Sequence, residues 1–127
     1  MLVFNTGSGW QPGFSYQNLP KPHQIDPNFL NSAFDVGVTG CLRCVKQVIE
    51  PMIEAKKGTI LLSGATAGLR GGAKFALFAP VKFALRSLGQ SMFNEYAKQG
   101  VHVAHVVIDG VIDSPMTHSW AEKVQLQ

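Results

Sequence analysis

The stretch from Gly58 to Arg86, GTILLSGATAGLRGGAKFALFAPVKFALR, restricts the fold more than any other part of the chain. It opens on an apolar run, Thr59 to Leu62, of the kind that makes a buried strand. A glycine-rich loop is expected from Gly64 to Gly72, then an apolar helical segment in which Lys82 stands four residues after Phe78. Strand, loop and helix in that order put the loop at the carboxyl end of a strand, where open parallel sheets bind their ligands.

Size and charge narrow what such a unit can do. With 127 residues and 46% hydrophobic content the chain is one domain's worth, with a modest core and no room for a two-domain enzyme. Its net charge of +3 is mild, and the 11 basic residues are scattered rather than set in a stripe with stacking aromatics, which argues against a nucleic-acid partner. No apolar run approaches the ~20 residues that span a bilayer. Met1 to Phe4 is too short for the core of a signal peptide and has no basic leader. The expectation is a soluble cytoplasmic protein without a membrane partner. Cys41 and Cys44 form a C-x-x-C on a helical stretch. It reads either as a redox pair or half a metal site, or as two small helix residues; no second Cys/His pair completes a zinc set.

The remaining elements follow from patterning. Leu2-Val3-Phe4 is a short strand ending at Asn5-Thr6-Gly7. Gly7 to Gln24 is a long polar loop with Trp10, Phe14 and Tyr16; Tyr16 is either a hydroxyl for a site or an aromatic packed on its own loop. Asp26-Pro27 starts a helix, a capping acid before proline at the first helical position. Phe29, Ala33, Val36, Val45, Val48, Ile49, Met52 and Ile53 continue it at mostly helical spacing to Lys57-Gly58, with a kink expected at Pro51. A second helix runs through Leu85, Leu88, Met92 and Phe93 to a glycine cap at Gly100. Val101 to Val107 is a third strand, in which His102 and His105 point to opposite faces and cannot serve one site.

Taken together, these motifs resemble the second half of the short-chain dehydrogenase/reductase family. Phe78-Ala79-Pro80-Val81-Lys82 lies where the family has Tyr-x-x-x-Lys, Asn5-Thr6-Gly7 where it has Asn-Ala-Gly, and Ile108 to Ser114 resembles its Pro-Gly-x-x-x-Thr loop. Ser63 to Gly68 also looks like the family's other glycine motif, Thr-Gly-x-x-x-Gly. Arg70 stands where that motif's last glycine belongs, however, and no acidic residue follows ~20 positions on to bind a ribose. The resemblance implies an α/β fold, a partial Rossmann-like doubly wound parallel sheet of about three strands and two long helices. Residues 1–127 would form a single incomplete NAD(P)-binding domain whose glycine-rich loop is absent from this chain.

The same resemblance implies a degenerate site. Of the catalytic tetrad, Gly37 occupies the Asn position, Ala65 the Ser position, thirteen residues before Phe78, and Phe78 the Tyr position; Lys82 alone survives. Ser63 and Thr66 are the alcohols close enough in sequence to swing into the vacated space. Lys82 either clamps a ribose diol or snorkels to solvent. Asn5, Gly7, Lys82, Asp109, Gly110 and Ser114 are the implied contacts to NAD or NADP, while Arg70 and Lys74 read as solvated loop charges. The implied function is NAD(P)-linked hydride transfer to or from a small carbonyl or alcohol substrate, impaired by the lost hydroxyls, in a homo-oligomer. The alternative is a non-catalytic binding or oligomerisation module derived from that fold, a pseudoenzyme.

Overall fold

The computed structural model describes residues 1–15, 17–115 and 117–118. Tyr16 and most of the stretch from Pro115 to Gln127 lie outside the described residues. Three parallel strands form one sheet in the order β1 (Leu2–Phe4), β2 (Gly58–Ala65), β3 (Val101–Ile108). Parallel neighbours need crossovers, and helices supply them. Between β1 and β2 lie α1 (Pro27–Phe34), a π-helical segment (Asp35–Thr39) and α2 (Gly40–Ala55); α3 (Ala79–Tyr96) joins β2 to β3.

The start of α1 is capped as the sequence predicts, with the Asp26 carboxylate accepting from the Asn28 amide at 2.9 Å. Pro51 sits within α2, which remains helical through Ala55. The long polar loop before α1 is tied to it by one buried side chain. Gln11 donates to the Gln24 carbonyl at 3.0 Å and accepts from the Asp26 amide at 3.1 Å, so the loop's buried polar groups are paired.

Both long helices pack on one face of the sheet. Cys41, Val45, Ile49 and Met52 from α2 and Leu85 and Met92 from α3 meet Phe4, Ile60, Leu62, Val101 and Val103 in a single buried cluster. These strand residues alternate along each strand and align across the register, Phe4 with Leu62 and Ile60 with Val103, so they share the helix-covered face. The opposite face carries Val3, Leu61, Ala104 and Val106, of which Val3 is 53% and Val106 47% exposed. Parallel sheets are ordinarily covered on both faces. This one has an apolar face and a β1 edge with no cover among the described residues.

One expectation is corrected. The loop after Leu62 begins later than its small residues suggest: β2 runs on through Ser63, Gly64 and Ala65, pairing to Ile108 at its end. A Cβ on Gly64 would stand 2.2 Å from His105 Nε2, so the glycine leaves the room that the His105 ring takes over this strand. The two cysteines are free thiols, Cys41 buried and Cys44 exposed. Burial, with the nearby Cys44 thiol, pushes Cys41 up to about 11, which keeps its thiol protonated.

His105 carries a pH dependence that the fold imposes. Its Nε2 is buried without a hydrogen-bond partner among the described residues. Burial first, and then the positive charges of Arg86 and Lys82, hold its pKa below the ordinary value of 6.5. A histidine with a depressed folded-state pKa takes up its proton more readily when unfolded. The stability it permits is present above pH 6.5 and is lost as the pH falls from there toward the folded-state value. Thermal unfolding midpoints should therefore drop between pH 7.5 and pH 5, and His105→Phe should flatten that drop. An equal drop in the variant would place the dependence elsewhere.

Candidate active site

The carboxyl ends of β2 and β3 and the entry to α3 enclose a cleft of about 350 Å³. Ala65, Thr66 and Ala67 line it from the end of β2, Phe75 and Phe78 from the segment entering α3, and Ile108, Asp109 and Gly110 from the end of β3. This is the end of the sheet where parallel α/β folds collect their ligands. The Ser position, the Tyr position and the loop anticipated to contact the cofactor are thus brought to one opening.

Lys82 lies beneath it on α3. The side chain is only 8% exposed, and Nζ donates to the Ser63 carbonyl at 3.0 Å, so it turns into the protein and does not snorkel. Its ammonium stands 5.6 Å from the centroid of the Phe78 ring, within the range of a cation–π contact. Burial lowers its pKa from the ordinary 10.5. An ammonium has three donors and one is committed here, which leaves two for another acceptor.

Gly37 falls in the π-helical segment between α1 and α2 and is buried. A Cβ there would stand 2.4 Å from Val81 Cγ1 and 2.8 Å from Ser8 Oγ. The volume an asparagine side chain needs is already filled, so the glycine is a packing requirement of this chain. A π-helical segment costs hydrogen-bond geometry and often marks a functional position.

The remaining anticipated contacts divide. Gly110 lines the cleft; Gly7 lines a second cavity of about 540 Å³ on the other side of Phe78, built by the loop from Gly7 to Pro20 and by Lys74 to Phe78. Asn5 is exposed at the end of β1 and lines neither cavity. Ser114 is engaged locally, its amide donating to Thr117 Oγ1 at 2.8 Å, and is also absent from both linings. Arg70 and Lys74 are exposed, as expected.

Sequence reasoning missed one feature of the cleft. The Thr66 hydroxyl donates a short hydrogen bond to Asp109 Oδ1. The two residues follow Ala65 and Ile108, the last aligned pair of β2 and β3, so the sheet register sets them side by side. The separation of 43 positions hides the contact until the pairing is known.

A parallel sheet with crossover helices and a cleft at the strand ends is the architecture of dinucleotide-binding folds. The short chain dehydrogenase family profile matches residues 1–125, and the chain belongs to that family. Among curated relatives, an "inactive 2-(S)-hydroxypropyl-CoM dehydrogenase 2" of Xanthobacter autotrophicus is 37% identical over 79 residues, 62% of this chain and 34% of that protein. A short-chain dehydrogenase from Rhodopseudomonas palustris superposes with a TM-score of 0.72 at 28% identity, covering 98% of this chain and 53% of its own. A tyrosine-to-phenylalanine variant of ElxO with NADPH bound superposes with a TM-score of 0.82 at 20% identity, covering 98% and 47%. The chain thus spans about a third of that curated relative and about half of those solved chains. Among the described residues no helix is long and apolar enough to cross a membrane.

Proposed function

We propose that this chain supplies the substrate and nicotinamide side of an NAD(P)-linked oxidoreductase site acting on a small carbonyl or alcohol, with its proton-transfer chemistry weakened. The observation that carries the reading is Lys82, buried, fixed on the Ser63 carbonyl and set against the Phe78 ring beside the cleft. An apolar helix buries a lysine at a desolvation cost, and such buried, shifted groups cluster at functional sites. The residues present suit the nicotinamide end of the cofactor. No side or main chain lies within 4 Å of where a Cβ would stand on Gly7 or Gly110, so both backbones are open to a ligand. The pyrophosphate end has no glycine-rich loop in this sequence. The dinucleotide, when bound, supplies the hydride donor or acceptor; the chain's own part is to orient the ligand and keep a positive charge near it.

The loss of a phenolic hydroxyl is compatible with nucleotide binding, since the ElxO variant carries NADPH with a tyrosine replaced by phenylalanine. What it removes here is the exchangeable proton beside Lys82. A second reading, a non-catalytic module working in a soluble, cytoplasmic homo-oligomer, is favoured by the apolar sheet face carrying Val3 and Val106 and by the open β1 edge, both of which invite association.

Calorimetric titration of NAD(H) and NADP(H) into the purified chain separates the two readings, with its mass in solution measured alongside. Binding of one cofactor, weakened about tenfold in Lys82→Met by loss of a charged hydrogen bond, is the expected result. No heat at millimolar cofactor from a folded oligomer would overturn the oxidoreductase reading and leave the assembly module.

A further inference from the structure

The cavity of about 540 Å³ beside Phe78 joins apolar walls to a single charge. Trp10, Leu19, Phe75, Leu77 and Phe78 make the walls, and Trp10 is 59% exposed. Among the described residues Lys74 is the only charged side chain in the lining, and no ion pair engages it. Asp109 lines the cleft on the other side of Phe78 and not this cavity. The surrounding chain has the same sign. Residues 1–25 and 55–94, which supply every lining residue, contain no aspartate or glutamate, while 55–94 holds Lys56, Lys57, Arg70, Lys74, Lys82 and Arg86. A region of one sign draws ligands of the other, and an apolar cavity of this volume with a few polar groups is the usual form of a small-ligand site.

Lys74 is also held in a costly conformation. It is the third residue of a turn closed by the Phe75 amide, which donates to the Gly72 carbonyl at 3.2 Å, and its φ is 69°, where a glycine would sit without strain. Among the described residues the other non-glycine position with positive φ is Lys56, which caps the end of α2. Lys74 caps no helix, and strain without such a role gathers at ligand clamps. The opposite wall is pinned close by: a Cβ on Gly9 would stand 2.9 Å from the Leu77 carbonyl oxygen, so the loop backbone lies directly on the segment that carries Lys74 and Phe78.

We propose that this cavity binds an apolar ring carrying a carboxylate, with the ring among Trp10, Phe75 and Phe78 and the carboxylate on the Lys74 ammonium. An ammonium has three donors and no acceptor, so it favours an anion over a neutral group of the same shape and disfavours a cation. On the oxidoreductase reading, on which this step alone rests, the substrate is a ring-bearing hydroxy or oxo acid.

Three probes of one ring system test this: 2-naphthoate, 2-naphthamide and 2-naphthylmethylamine, titrated separately at low salt into the 127-residue chain while backbone amide and Trp10 indole N–H shifts are followed by NMR. 2-Naphthoate should move the signals of Trp10, Lys74 and Phe75 and bind about fivefold more tightly than the amide, the upper value of an exposed ion pair. The positively charged amine should bind more weakly than the amide. In ~1 M salt the acid and the amide should come level, because exposed charges are then screened. Lys74→Gly removes the charge at a turn position that glycine fits, so the variant should keep its fold and bind acid and amide alike. Equal binding of acid and amide in the unaltered chain, a preference for the acid that survives Lys74→Gly, or shifts confined to other residues would each overturn the proposal. No cofactor enters these titrations, so failure to bind NAD(P) in the calorimetric experiment leaves their outcome intact. Conversely, an amide bound as well as the acid leaves the oxidoreductase reading standing.

Discussion

Phe78→Tyr combined with Ala65→Ser is expected to raise cofactor-linked alcohol oxidation or carbonyl reduction by about 10² to 10⁴, the value of one positioned general acid-base group. Phe78 lines the cleft, so a hydroxyl added to its ring enters space that the ring already borders. The Lys82 ammonium, 5.6 Å from the ring centroid, favours the phenolate and so lowers the new phenol's pKa. Ala65, at the last position of β2, lines the same opening, and a serine there adds a hydroxyl to it. Single and double variants should be compared at saturating cofactor. Phe78→Tyr should supply most of the gain, and Ala65→Ser should add to it only when the phenol is present, because orientation of a carbonyl matters once a proton can reach it. Unchanged rates in a double variant that binds cofactor would mean that hydride transfer is blocked for another reason.

Gly37, to which the family resemblance assigns the tetrad's asparagine position, bounds this experiment. An asparagine at Gly37 would drive its Cβ into Val81 and Ser8, so the site is to be rebuilt with three of the four groups. Overpacking of this kind costs about 1–3 kcal/mol, enough to confuse a loss of activity with a loss of fold.

The degree to which these features were legible follows from how local each one is. The strand, loop and helix of Gly58 to Arg86 announce themselves through residues within one window, and so do the Asp26-Pro27 start of α1 and the apolar strand from Val101. Parallel order follows, because each pair of strands is separated by a helix long enough to cross over. The extent of β2 was not legible, since Ser63, Gly64 and Ala65 have loop-like composition. Their extended pairing is with Val106, Val107 and Ile108, more than 40 positions away, and the His105 ring takes the space that Gly64 leaves. The π-helical turn at Asp35–Thr39 reads as ordinary helix until Val81 and Ser8 are seen to press on Gly37. The burial of Lys82 turns on the Ser63 carbonyl, and the Thr66–Asp109 contact on the register. Each of these is a tertiary term that no single window contains.

The second large effect tests the core that holds the cleft in place. Leu62 is fully buried in the central strand, between Phe4 and His105 in the register, and its Cδ1 fills the space above Gly89 on α3. Leu62→Ala removes that wedge and should cost about 2–5 kcal/mol, a large share of the stability of a domain this size. Gly89→Ala by itself meets Leu62 Cδ1 at 2.8 Å, so overpacking offsets the ~1 kcal/mol that alanine gains over glycine within a helix. In the Leu62→Ala background the opposing methyl is gone. The new Cβ then enters the vacated volume and keeps its helical advantage, so the double variant should be more stable than Leu62→Ala alone. Denaturant midpoints of the wild type, the two singles and the double give the coupling directly. Strict additivity would show that α3 moves away from β2 to accommodate each change separately. The favourable coupling expected here means that helix and strand are held at one spacing, which is what lets a lysine on α3 reach a carbonyl on β2.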